Sequence, residues 1–163
     1  MMSRTKVGFV YTFRHYRNGS LLETFEQKNL MPIEGINHML GVLVGGAQFP
    51  SWYIGLYGNA YTPQPSDKML TFPGLAGELT AYTGDRVAFT PNTVSGGTLT
   101  NIGNEAEFTF SSGVVVHGGF MGSHSTKGSS AGVLLSAVRL PSPRNFLAGD
   151  VISVGAGLEI SPL

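Results

Sequence analysis

The stretch Val151-Ile152-Ser153-Val154-Gly155-Ala156-Gly157-Leu158-Glu159-Ile160 decides the fold class. Ile152, Val154, Ala156, Leu158 and Ile160 fall on one side of an extended chain, and Ser153, Gly155, Gly157 and Glu159 fall on the other. That period of two is what a strand with one buried face requires. Glycine on the second side leaves room for another backbone to approach closely. The pattern recurs upstream, where Ala106, Phe108 and Phe110 alternate with Glu105, Glu107 and Thr109. Near the N-terminus Val7, Phe9, Tyr11 and Phe13 alternate with Gly8, Val10, Thr12 and Arg14. Asn18-Gly19 follows; both residues tolerate positive φ, so the pair predicts a hairpin with its return strand over residues 21–27. Arg14, Arg17, Glu23 and Glu26 then lie on an exposed or partner-facing edge.

The rest of the chain reads as further short strands at 78–82, 86–89, 97–101, 106–110, 114–121, 131–140 and 151–160, a spacing like that of a sandwich or jelly roll. Pro32 suits a first helical turn, and Ile33, Ile36, Leu40 and Leu43 recur at helical spacing until Gly45-Gly46 stops the run. One helix over 33–44 is predicted. Residues 52–57 are apolar on both faces, which suits a centrally buried strand. Residues 58–77 hold Pro63, Pro65 and Pro73 and are predicted to form a long surface loop. The stretch 90–97 joins two halves of one structure. No repeat or second domain is marked, so the expectation is one all-β domain over 1–163, a β-sandwich or jelly roll with one short helix.

Composition narrows the function. A chain of 163 residues buries about 70% of its unfolded surface and needs neither metals nor disulfides to hold a core. Ten basic residues balance ten acidic ones, and charged residues make up 12%, about half the usual share. So few charges protect a free monomer poorly against association, which points to assembly with copies of itself or with another protein. Phosphate binding relies on clustered Lys and Arg, so nucleic acid is not an expected partner. The chain has no cysteine, which removes disulfides and thiolate chemistry. Residues 1–10 do not read as a secretory signal, and glycine interrupts every apolar run before membrane-spanning length. No membrane association and synthesis in the cytoplasm are expected.

No catalytic constellation stands out, and no enzyme is expected. His117 and His124 match no metal-ligand spacing and have no neighbouring carboxylate. No serine sits on a recognisable strand-to-helix elbow. Glu78, Asp85, Glu105 and Glu107 read as solvent-facing strand residues rather than a glycosidase pair. The glycine-rich stretch 118–128 contains Lys127, but Thr126 stands where a phosphate loop needs glycine, and a tight hairpin is expected instead. Trp52, Tyr53, Tyr57, Tyr61 and Tyr82 are candidates for a sugar-binding platform, against which core packing of Trp52 and Tyr57 is the stronger reading. Arg14, His15, Tyr16 and Arg17 form the densest basic-aromatic cluster, either a solvated strand end or a dock for an acidic partner. No cofactor and no metal are expected.

Four motifs, in this order, carry a resemblance. They are Asn29-Leu30-Met31-Pro32 with Gly35-Ile36-Asn37, then Trp52-Tyr53-Ile54-Gly55-Leu56, Ser125-Thr126-Lys127-Gly128, and Leu147-Ala148-Gly149-Asp150. Across nearly the whole chain the sequence resembles small virion proteins of tailed bacteriophages, similar to capsid cement or decoration proteins. The resemblance implies a β-sandwich or jelly roll on the capsid exterior that clamps the major capsid protein, with no catalytic residues. Arg14, Tyr16, Arg17, Tyr57 and Tyr61, in the N-terminal hairpin and at the 58–77 loop, are the expected capsid contacts. A homo-oligomer, dimer or trimer, is expected for shell reinforcement. A tail or head-tail connector protein and a glycan-binding module on the virion surface are the alternatives.

Overall fold

A computed structural model describes residues 7–160 of the chain; residues 1–6, read above for a signal, lie outside them. The protein is mostly β, with antiparallel sheets. The strands are β1 (Val10–Arg17), β2 (Ser20–Lys28), β3 (Tyr53–Tyr57), β4 (Val87–Ala88), β5 (Thr98–Thr100), β6 (Ala106–Thr109), β7 (Val114–Gly122), β8 (Leu134–Phe146) and β9 (Val151–Glu159). Helix α1 (Ile33–Leu43) falls on the predicted turns, and a second helix, α2 (Phe72–Ala76), does not.

The stretch that decided the fold class is the spine of the first sheet, in the order β2-β1-β9-β5 with β6 also on β9. One edge of β9 pairs with β1, and the other is shared by β6 over Val151–Val154 and β5 over Gly157–Glu159. The gap between β5 and β6 would strand backbone polar groups of β9, which is costly. Buried Asn101 fills it: its backbone N–H donates to Ala156 O, its Oδ1 accepts from Ala156 N–H at 2.7 Å, and its Nδ2 reaches Val154 O. The second sheet has the order β4-β3-β7-β8. The 90–97 stretch carries the chain from β4 in the second sheet to β5 in the first.

Both sheets send alternate side chains into one core. Phe9, Tyr11 and Phe13 meet Ile152, Val154 and Phe108 from the first sheet, and Ile54, Leu56, Val116 and Val138 from the second. Asn18 and Gly19 take φ values of 50° and 76°, the turn that the hairpin prediction required.

Several expectations are corrected. Residues 58–77 are irregular outside α2 and largely exposed, as expected, but they are not only a surface loop. They fold over the second sheet's other face and bury Met69, Phe72 and Ala76 against Tyr57, Phe120 and Leu134, a second small core. Pro73 was read as a breaker, yet it opens α2, where a missing N–H costs nothing. The single-helix expectation therefore fails. Residues 78–82 form only isolated bridges at Glu78 and Tyr82. β8 runs past Leu140 through Pro141 and Pro143: its pairing with β7 jumps from Gly118↔Arg139 to Val116↔Arg144, so the prolines sit in a bulge where the ladder asks for no N–H. Ile160 lies beyond β9 and is exposed rather than inward.

α1 lies on β8 with its glycine against the strand. A Cβ on Gly35 would stand 2.4 Å from Leu135 O and 2.8 Å from Leu134 O. The Glu34 carboxylate accepts from Met69 N–H at 2.8 Å and Leu134 N–H at 2.7 Å, fastening helix, loop and strand together.

Candidate functional site

The predicted contact residues fall into two separate places. Arg14, Tyr16 and Arg17 lie at the end of β1, whose last turns are held by buried Asp150. Arg17 donates to both Asp150 oxygens, from Nε at 2.8 Å and from an η nitrogen at 2.7 Å. His15 Nε2 is 2.9 Å from Asp150 Oδ2, and the Leu147 N–H donates to the same oxygen. The Arg17 guanidinium, followed by the Leu147 and His15 hydrogen bonds, outweighs burial and holds the Asp150 carboxyl well below the usual carboxylate range. Arg14 donates to Glu105 at 2.9 Å. Burial pushes the Glu105 carboxyl up, but hydrogen bonds from backbone N–H groups and Arg14 outweigh it and leave it lowered. Both arginines of the cluster are thus neutralised by partners within the chain, so the strand end is not an open basic patch. Tyr16 lines a shallow cleft of about 260 Å³ with Asn18, Glu107 and Gly149.

Tyr57 and Tyr61 lie at the second small core. Tyr57 is 0% exposed and donates its hydroxyl to Val138 O at 3.0 Å, so it has no surface to offer a partner. Its place among the contact residues is withdrawn. Tyr61 is half-buried; its hydroxyl donates to Asp67 at 2.6 Å, and that carboxylate, with burial, pushes the phenol up to about 12. Of the proposed sugar platform, Tyr82 is buried as well as Tyr57. Trp52 is half-buried, packed edge-on against His38 with ring centres 5.6 Å apart.

The 123–132 connection is a structural clasp. Buried Arg86 makes a two-pronged pair with Glu78 at 2.8 and 2.7 Å and donates to His124 O and Ser129 O. Lys127 Nζ donates to Tyr82 O at 2.8 Å and Thr80 O at 3.1 Å and lies 4.3 Å from the centre of the Tyr82 ring. The lysine that resembled a phosphate ligand is therefore consumed in holding the connection down. Among the described residues no three His, Cys, Asp or Glu side chains converge, and no helix is long and apolar enough to cross a membrane.

One concave feature was not read from the sequence. A cavity of about 610 Å³ opens between the C-terminal half of α1, the 44–52 segment, the ends of β3 and β4, and the far end of β9. Phe9, Met39, Trp52, Phe89, Leu99 and Leu158 are among its walls with His38, and no Asp, Glu, Lys or Arg lines it. Leu43 and Phe49 on its rim are 76% and 77% exposed, and Val44, next to Leu43 in the chain, is 83% exposed. Residues 35–66 and 87–104, which supply most of this end, contain no Asp, Glu, Lys or Arg. That pair of charge-free stretches was the available signal.

No protein-family model matches the chain, and no curated protein matches it.

Proposed function

We propose that the protein is a structural component of a many-copy particle, a decoration protein that binds the outer surface of a bacteriophage capsid shell and stabilises it. The observation that supports this reading best is the apolar end of the molecule, with Leu43 and Phe49 standing in solvent at the rim of an apolar cavity and Val44 exposed next to Leu43 in the chain. Isolated soluble domains rarely leave such a surface uncovered, and exposed apolar patches mark interaction sites. Elsewhere Arg14, Arg17, Glu78, Arg86, Glu105, Lys127 and Asp150 are occupied in fastening strands and turns.

The four resemblance motifs sit at positions of architectural use. Leu30 exchanges backbone hydrogen bonds with Ala137 of β8, and the Asn29 amide oxygen accepts from Phe9 N–H. Ser125–Gly128 lies in the clasp held by Arg86, and Leu147–Asp150 is the turn into β9. Two sheets sharing one core favour a β-sandwich, the architecture expected of a decoration protein. Self-association into a dimer or trimer belongs to the same reading. A tail or connector position would use the same surface and is separated by where the protein is found on the particle. With Tyr57 and Tyr82 buried, less aromatic surface is left for a glycan platform.

The test is add-back. Purified protein mixed with expanded shells that lack it is expected to bind saturably, measured by sedimentation, and to raise the temperature at which the shells disrupt. Absence of binding to expanded shells sinks the capsid reading.

A further inference from the structure

We propose that β2 is the receiving edge for an extended segment of the shell subunit, which joins the first sheet as one more strand beside Thr24, Glu26 and Lys28. The inference rests on the capsid reading above and names a second contact, away from the apolar cavity.

Among the described residues β2 ends the sheet order, with β1 as its one ladder partner. The Asn29 N–H donates to Phe9 O, so Phe9 and Asn29 are a hydrogen-bonded pair that continues this ladder. Such pairs alternate along antiparallel strands. By the register, Phe25 and Gln27 therefore turn their backbone groups to β1, and Thr24, Glu26 and Lys28 turn theirs away from it. All three are exposed. The next residue of that outward row shows what it accepts: Leu30 exchanges two backbone hydrogen bonds with Ala137 of β8. No proline interrupts Ser20–Lys28, so each outward N–H can donate. Other margins offer less, since β4 and β5 span two and three residues and Tyr82 bridges Phe110 just past β6. Backbone groups left at a sheet edge are matched by another extended chain.

The side chains narrow the occupant. Arg14 and Arg17 are spent within the chain, and Glu23 pairs with Arg144 at 3.0 Å. Glu26 and Lys28 stand exposed two positions apart, and they match a strand carrying a Lys or Arg and an Asp or Glu at the same spacing. They also act against a second copy. Consider two β2 strands paired about a two-fold axis centred on any residue from Glu23 to Gln27. Each of these registers sets Glu23 or Glu26 opposite its own image or diagonally beside it, and like charges facing each other destabilise a strand pair. The occupant is therefore a strand of another polypeptide.

Amide hydrogen exchange resolved to single residues, on purified protein free and bound to expanded shells, tests the proposal. In the free protein the Thr24, Glu26 and Lys28 amides are expected to exchange fast and those of Phe25 and Gln27 slowly. Binding to shells is expected to slow the three outward amides at least about tenfold. Glu26→Pro removes one outward N–H and leaves the β1 ladder intact, because proline is tolerated on the open side of an edge strand. It is expected to raise the concentration that half-saturates the shells at least about tenfold, the loss typical of a partner carbonyl left unpaired.

Shells that bind the wild type while the outward amides still exchange fast overturn the proposal, as does a folded Glu26→Pro that binds like the wild type. Outward amides already protected in the free protein, increasingly so with concentration, also overturn it and assign the edge to a second copy. If Glu26→Pro does not fold, the wild-type exchange pattern decides alone. A wild type that binds no shell removes the capsid role and this contact together, whereas binding with an unpaired β2 removes this contact alone.

Discussion

Arg86 and Glu78 meet as a two-pronged ion pair, Nε to Oε1 at 2.8 Å and an η nitrogen to Oε2 at 2.7 Å, with both side chains withdrawn from solvent. Glu78 lies just after α2 and Arg86 just before β4, and through His124 O and Ser129 O the arginine reaches the β7–β8 connection. One pair therefore ties three segments that have no ladder in common.

Removing one member leaves the other charge buried and alone. Glu78→Ala or Arg86→Ala is expected to cost about 3–5 kcal/mol. The double variant should cost clearly less than the sum, because neither charge is then stranded. Urea denaturation of the four proteins checks this, and additive losses would show that the pair acts separately rather than together.

Asp150 sets a pH dependence. Its folded-state ionisation lies below the ordinary carboxylate value of about 3.9. The stabilisation it provides is therefore fully present above that value and is lost as pH falls through it towards the folded value. Asp150→Asn is expected to lower stability at neutral pH and to flatten the decline on acidification below about pH 4. Denaturation midpoints across an acid series measure both effects, and an unchanged acid slope in the variant would rule the assignment out.

Gly35 is where α1 touches β8. Gly35→Ala improves helix propensity by up to about 1 kcal/mol, yet the new methyl meets Leu135 O at 2.4 Å and Leu134 O at 2.8 Å. Backbone cannot yield as a flexible side chain does, so a net loss of about 1–3 kcal/mol is expected. A stabilised variant in thermal or urea melts would mean that the helix lifts freely from the sheet.

Phe72 anchors the second core, with its ring edge-on to Tyr57 and Phe120 at 5.7 and 5.4 Å. Phe72→Ala is expected to cost about 3–5 kcal/mol. Hydrogen exchange should quicken across residues 58–77 before it quickens in β1 or β9. Uniform loss of protection would show that the two cores melt as one.

The Asn18-Gly19 hairpin, the helix start at Ile33 and the alternating strands β1, β6 and β9 were legible because each rests on local rules: turn conformations, side-chain period and helix initiation. Leu147–Asp150 was visible as a motif, but not that its aspartate would bind His15 and Arg17. Those residues are more than 130 positions away in the chain, and nothing local records such a meeting. Residues 58–77 misled for a related reason. Proline marks the absence of long regular structure, and it does not say whether an irregular segment floats in water or packs down through Met69 and Phe72. β8 continued through two prolines because a bulge relieved the ladder there, a condition set by its partner strand β7.

By itself, then, the sequence determined the β class, the hairpin, the main helix and the scarcity of charge, each a property of neighbours along the chain or of composition. Only the tertiary structure decided which charges are consumed internally and that two charge-free stretches converge on one cavity. The physical reason is that burial and pairing are relations between distant residues, settled when both sheets close over the core.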